Sequence, residues 1–160
     1  MSLKTLILMR GCPGSGKSFT ASCICFPNGI VYSTDDYWGA TPEIYRKNFD
    51  AAITDGSIHH KLTSFHKLNL QRTIDTMVLN WPLIIVDNTN IRLEHMQPYE
   101  DAADKYGYKV IYREPDSSIW QQWRKSNIHT NVAAQFFYER NKHGVPLETI
   151  KRMLDQFQDV

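Results

Sequence analysis

The sequence predicts an α/β domain with a parallel sheet of about four strands, helices on both of its faces and a helical segment toward the C-terminus. Three observations carry that expectation. Short apolar runs alternate with longer stretches whose apolar residues recur at helical spacing, the pattern of strands joined by helical crossovers. One run, Leu83-Ile84-Ile85-Val86, has no polar member, as a strand covered on both faces requires. Another, Leu3 to Arg10, leads directly into Gly11-Cys12-Pro13-Gly14-Ser15-Gly16-Lys17-Ser18, which matches G-x-x-x-x-G-K-[ST] at every fixed position and opens a helix-compatible segment.

The first strand is Leu3 to Arg10, and the first helix runs from Lys17 to about Cys25, ending at the turn signal Pro27-Asn28-Gly29. Ile30 to Ser33 is a short second strand. It delivers Thr34-Asp35-Asp36-Tyr37-Trp38 at its C-terminal end, where ligands of open α/β sheets bind. Thr41-Pro42-Glu43 starts a helix that continues through Ala52, with proline at its first position. After Asp55-Gly56-Ser57, the spacing of Leu62, Phe65, Leu68, Leu70, Ile74, Met77 and Val78 predicts one long helix from Ile58 to about Asn80. The strand Leu83 to Val86 then empties into Asp87-Asn88-Thr89-Asn90. Arg92 to Tyr106 is expected as one helix, irregular at Pro98 and capped by Gly107. Tyr108 to Arg113 alternates as a fourth strand. Helices follow over Ser118 to Lys125, Ala133 to Lys142 and, after Gly144, Pro146 to Phe157. Right-handed crossovers with short loops would bring the strand ends after residues 10, 33 and 86 to one edge.

With 160 residues, 42% apolar and 22% charged, the chain is expected to form one domain over residues 1–160 around one core. No apolar run approaches the roughly 18 residues that span a bilayer, and the first residues lack a signal-peptide pattern. An intracellular protein, cytoplasmic or nuclear and without a membrane partner, is the resulting expectation. Cys12, Cys23 and Cys25 have neither CxxC nor zinc-finger spacing and are expected to be reduced. Cys12, beside Lys17 and a helix start, is either an oxidation-sensitive thiol of lowered pKa or a loop-filling residue. The six histidines are dispersed, so no metal other than Mg²⁺ is expected. A net charge of +1 excludes coating of nucleic acid by bulk electrostatics. Any such contact must be local, and Arg124, Lys125, Arg140, Lys142, Lys151 and Arg152, against Glu139 and Glu148, mark the basic face.

The glycine-rich loop makes successive N–H groups point inward at the positive end of a helix, which is an anion site. Gly11, Pro13, Gly14, Ser15, Gly16, Lys17 and Ser18 are therefore assigned to a bound nucleoside triphosphate, ATP or another NTP. Lys17 is expected to neutralise the β- and γ-phosphates and Ser18 to join the shell of a bridging Mg²⁺. Asp35 and Asp36 are placed to take a proton from an attacking hydroxyl, and on an extended segment only one of them would face the phosphates. Asp87 follows an apolar strand as a Walker-B carboxylate does and is the second metal candidate. Asn88, Thr89 and Asn90 are acceptor-side candidates or turn formers. Tyr37 and Trp38 either stack a nucleobase or pack in the interior. Arg140 is the candidate lid cation, because its planar fork clamps phosphate oxygens bidentately.

The ordered set GCPGSGKS, Asp35-Asp36-Tyr37, Asp87-Asn88-Thr89-Asn90 and Arg140-Asn141-Lys142-His143-Gly144-Val145-Pro146 resembles the polynucleotide-kinase branch of P-loop phosphotransferases. The likeness runs from about Leu3 to Leu154 and is greatest to the kinase-like domains of a mammalian ubiquitin-ligase-binding protein and its shorter relatives. It implies a single P-loop kinase-type domain with a lid over about residues 118–145. It further implies that Lys17 and Ser18 bind donor nucleotide and Mg²⁺, that Asp35 is the general base for a 5′-hydroxyl and that Arg140 belongs to the lid. Two positions depart from the family pattern. Trp38 stands where phage-type enzymes carry an arginine for the acceptor phosphate, and His143 stands where an arginine precedes the lid glycine.

The expected function is transfer of the γ-phosphate of ATP to the 5′-hydroxyl of RNA or DNA, with a nucleic-acid end as substrate. A kinase for a small molecule or an aminoacyl-tRNA, and a non-catalytic NTP-binding module, are the alternatives.

Overall fold

The computed structural model describes residues 3–160. Strand β1 (Thr5–Met9) lies between β3 (Leu83–Val86) and β4 (Lys109–Arg113), with β2 (Gly29–Tyr32) outside β3, and every pairing is parallel. Leu8 pairs with Val86 and Tyr112, and Val86 with Tyr32, so the strands end level with one another and their following loops share one edge. The period-two alternation of β1 divides the core between two faces. Leu6 and Leu8, with Ile84 and Val86, pack on α3 (Ile58–Val78) and α4 (Gln97–Tyr106) through Met77, Tyr99 and Ala103. Ile7, Met9 and Ile85 pack on the other face, against Ala21 and Ile24 of α1 (Lys17–Cys25).

Helix α2 (Pro42–Thr54) begins where the hydroxyl of Thr41 accepts the N–H of Ile44, with Pro42 in the first turn, where its missing N–H costs nothing. It packs on α3 through Trp38, Tyr45, Phe49, Ala52 and Phe65. Toward the C-terminus, α5 (Ser118–Arg124), α6 (Thr130–Arg140) and α7 (Leu147–Asp155) enclose their own apolar cluster of Trp120, Ala133, Ala134, Phe137, Ile150 and Leu154. Cys12 of the phosphate loop joins that cluster, so the helical cap is packed directly onto the loop it covers.

The α/β class, the four parallel strands and the helices on both faces agree with the expectation. Some local features differ. The stretch Arg92 to Tyr106 is not one helix: Leu93–His95 is a separate 3₁₀ turn and α4 starts at Gln97, because Pro98 fits a first turn and not a helix interior. Thr34–Tyr37 forms a 3₁₀ turn instead of extending β2. Helix α6 starts at Thr130, earlier than Ala133, because the ring of His129 caps it by accepting the N–H of Asn131 at 3.1 Å. Among the described residues, no helix is long and apolar enough to cross a membrane.

Candidate active site

The phosphate loop turns between β1 and α1 with Gly14 in the left-handed region at φ 78°. A Cβ at Gly14 would collide with the carbonyl oxygen of Phe137, so only glycine lets the loop lie against the cap. Helix α1 has Gly16 at its N-cap and no side-chain capping bond, which leaves its first N–H groups for an anion. The hydroxyl of Ser15 in the same loop is buried and, among the described residues, has no hydrogen-bond partner. A glycine-built turn and an uncapped helix start fit a bound phosphate chain.

Lys17 Nζ lies 2.6 Å from Asp87 Oδ1, and both residues are buried. With the phosphate loop at the end of β1 and Asp87 at the end of β3, the cation and the candidate Walker-B carboxylate pair with each other across neighbouring strands. Ser18 and Asp87 match the sparse protein ligation of Mg²⁺, which takes one or two side chains and fills its octahedron with phosphate oxygens and water. Among the described residues, no group of three or more His, Cys, Asp or Glu side chains converges as a metal site.

Two cavities meet above the sheet edge. The first, about 380 Å³, is lined by the phosphate loop from Cys12 to Phe19, Ser15 excepted, together with Asp35, Thr89, Arg140, Lys142 and His143. The second, about 550 Å³, extends past Asp35 between α2 and α7, with Phe49, Ile53, Leu62 and Met153 among its apolar walls and Arg46 and Arg152 among its cations. Pro13, Asp35, Thr89 and His143 line both. A larger depression of about 630 Å³, lined by Arg10, Glu114, Asp116, Trp120 and Arg124, contains no phosphate-loop residue. Its charges are largely neutralised internally, Arg113 by Asp116 and Arg124 by Glu114 and Asp159, so the chemistry is assigned to the pair of cavities and not to this larger one.

At the junction, Asp35 Oδ1 accepts a hydrogen bond from the hydroxyl of Tyr45 at 3.3 Å, and Oδ2 lies 3.5 Å from His143 Nε2. Burial, and then the neighbouring Asp35 charge, raise the pKa of Tyr45, which keeps its hydroxyl a donor. His143 stacks on Tyr45 with ring centroids 4.0 Å apart. His66, also at the second cavity, has its pKa lowered by burial and presents a neutral imidazole there. Arg140 lines the first cavity, with its guanidinium over the Phe136 ring at 4.5 Å and no ion pair among the described residues.

Several sequence candidates have other roles. Asp36 caps the turn after β2 by accepting the N–H of Ser33, and it pairs with Arg72 at 2.8 Å. Tyr37 stacks on Phe65 and lies under the Arg72 guanidinium. Neither Asp36 nor Tyr37 lines either cavity. Trp38 is 2% exposed and wedged edge-on between Phe49 and Phe65, so it has no free face for a nucleobase and serves as apolar wall. Asn88 accepts the N–H of Thr34, and Asn90, at φ 44°, donates to the carbonyl of Met9, so both tie strand-end loops together. Asn88 and Thr89 nevertheless reach the second cavity. Cys12 is not an activated thiol: burial pushes it up to about 12, against a smaller opposing influence from Lys17.

A family model described as an AAA domain matches residues 6–160. The chain belongs to the AAA domain family. Among curated proteins, this AAA domain is similar to human NEDD4-binding protein 2, 35% identical over 155 residues that make up 96% of this chain and 8% of that protein. It is also similar to rat YLP motif-containing protein 1, 28% identical over 144 residues, 79% of this chain and 10% of that protein. The AAA domain therefore spans a tenth or less of the length of these relatives. Among solved structures it resembles a chain of the Pnkp1/Rnl/Hen1 complex, with a TM-score of 0.52 and 18% identity, covering 80% of this chain and 40% of that one. At that identity the likeness concerns the fold, which is P-loop kinase-like.

Tyr45, Arg46, His66 and Arg152 reach the site without standing in any recognisable motif. In the sequence Arg152 stands out only as part of a basic face and His66 only as one of six dispersed histidines, while Tyr45 and Arg46 carry no signal, and the turn of α2 that faces Asp35 becomes visible only once α2 is docked on α3.

Proposed function

We propose that this AAA domain is a Mg²⁺-dependent kinase that moves the γ-phosphate of ATP to the 5′-hydroxyl of a nucleic-acid end. The observation that carries the reading is Asp35 at the junction of two cavities, one built from the phosphate loop and the other free of it beyond Pro13. A transfer reaction needs a donor compartment, an acceptor compartment and one group between them that takes a proton. The Asp35 carboxylate accepts the proton of the acceptor hydroxyl as its oxygen bonds to the γ-phosphorus and the bond to the β,γ-bridging oxygen breaks in line, releasing ADP. With the donor bound, Lys17 would turn from Asp87 to the β- and γ-phosphate oxygens, and Ser18 and Asp87 would be the residues that hold Mg²⁺. Mg²⁺, when bound, neutralises the charge that develops on those oxygens. Arg140 closes over the transferring group from the cap.

The nucleic-acid acceptor is supported by the four-motif resemblance and by the size of the second cavity, which lies within the roughly 300–1,000 Å³ usual for small-molecule sites and suits one nucleoside unit. Its apolar walls, with Trp38 in place of an arginine, favour as a second reading an uncharged small alcohol as acceptor. Incubation with labelled ATP, Mg²⁺, 5′-hydroxyl DNA and RNA oligonucleotides, nucleoside 3′-phosphates and small alcohols separates the two. Label on the oligonucleotides supports the first reading. Label on small alcohols alone replaces it with the second.

A further inference from the structure

Helix α2 touches both halves of the site through three residues within one turn. Tyr45 donates to Asp35 and stacks on His143. Asn48 donates to the carbonyl of Trp38 at 2.6 Å and so holds the turn that carries Asp35. Between them, Arg46 reaches across to the loop joining α6 and α7: its NH1 donates to the carbonyl oxygens of His143 at 3.2 Å and Gly144 at 2.8 Å. The guanidinium is aimed by Asp50, one turn on, which accepts from Nε at 3.0 Å. The receiving loop is shaped for this contact. Gly144 adopts φ 65°, and a Cβ there would collide with Arg46 NH1. Asn141 closes the loop from within by accepting the N–H of Val145 at 2.7 Å.

We infer that Arg46 is a positioning residue that ties the acceptor-side helix to the cap loop and thereby seats His143 against Asp35. Beside it, Tyr45 meets the loop through its ring stack on His143, which tolerates sliding, whereas two hydrogen bonds from one nitrogen to successive carbonyls fix the loop in register. The cap cations Arg140 and Lys142 belong to the same segment, so the clip also sets where they stand over the donor cavity. Acceptor-side packing against Phe49 and Ile53 of α2 is in this way linked to the geometry of the phosphate side. The inference rests on the kinase reading for its effect on turnover and on the contacts alone for its effect on the loop.

The test compares the full chain with Arg46→Ala, Arg46→Lys, Gly144→Ala and the Arg46→Ala/Gly144→Ala double variant. Amide hydrogen exchange is measured over residues 141–146, with transfer to a 5′-hydroxyl oligonucleotide and ATP binding measured in parallel. Loss of two charge-assisted hydrogen bonds in Arg46→Ala is expected to speed exchange in the loop and lower kcat by about 10- to 100-fold each, with ATP affinity within about two-fold. Arg46→Lys recovers part of both, and the double variant is less impaired than the two singles combined, because the collision at Gly144 requires the guanidinium. Unchanged exchange in Arg46→Ala overturns the clip, and faster exchange with unchanged kcat overturns its positioning role. A wild-type chain that labels no acceptor removes the kinase reading and the effect on turnover, while exchange still decides the clip.

Discussion

Asp35 and His143 face each other across the site, with Oδ2 and Nε2 3.5 Å apart, one on the turn after β2 and the other on the loop after α6. The sheet and the cap therefore meet at a carboxylate and an imidazole. Tyr45 lies beneath both, hydrogen-bonded to the first and stacked on the second. This arrangement places a neighbour against each carboxylate oxygen of Asp35 while leaving the side chain half exposed to the cavities.

Tyr45→Phe removes the hydroxyl donor and keeps the ring stack. One hydrogen bond of this type contributes about 0.5–1.5 kcal/mol, so transfer is expected to fall by roughly 2- to 10-fold with little change in ATP affinity. Steady-state kinetics with saturating ATP reads this directly.

The buried Lys17–Asp87 pair predicts coupled stability effects. Lys17→Met leaves a buried carboxylate without its cation, which costs about 3–5 kcal/mol in comparable sites. Adding Asp87→Asn removes the stranded charge, so the double variant should unfold at a higher urea concentration than Lys17→Met while remaining unable to bind ATP. A double-mutant cycle by urea denaturation measures the coupling.

Trp38 is assigned to packing. Trp38→Ala should cost about 3–5 kcal/mol of stability, whereas Trp38→Phe, which keeps an aromatic among Tyr45, Phe49 and Phe65, should cost far less and leave acceptor KM within about three-fold. A large rise in KM for Trp38→Phe without loss of stability would return the indole to acceptor binding.

Burial of Cys12 sets a pH dependence. Its folded pKa is raised to about 12 from an ordinary value of 9.0. The folded state thus holds the thiol proton more tightly than the unfolded state. The associated stability is complete below pH 9.0 and is lost as pH climbs from there toward about 12. At neutral pH, iodoacetamide should modify the exposed Cys23 readily and Cys12 only on unfolding. Peptide mapping after timed alkylation distinguishes the two.

The parallel sheet of about four strands, with helices on both faces, was legible because each strand reports its environment through its own side chains: Leu83 to Val86 is apolar throughout because both faces are covered; the strand order was not. The phosphate loop was legible because its backbone geometry demands glycine at fixed spacing, and Gly16, in the left-handed region at φ 90°, shows why. The adjacent carboxylates were legible as a pair but not as individuals. Asp36 is drawn off by Arg72, a residue on α3 that no linear pattern connects to it. Trp38 was ambiguous for a similar reason, since an indole after a strand reads alike whether it faces a ligand or three other rings. Arg46 was invisible, because its role depends on where α2 lies against a loop nearly a hundred residues further on.

The central claim is that Asp35 takes the proton of an acceptor hydroxyl while the phosphate loop holds the donor. Transfer from labelled ATP to a 5′-hydroxyl oligonucleotide, measured for wild type and Asp35→Ala alongside ATP affinity, tests it most directly. The predicted result is a loss of about 10²- to 10⁴-fold in transfer with ATP affinity unchanged. Undiminished transfer by Asp35→Ala would contradict it.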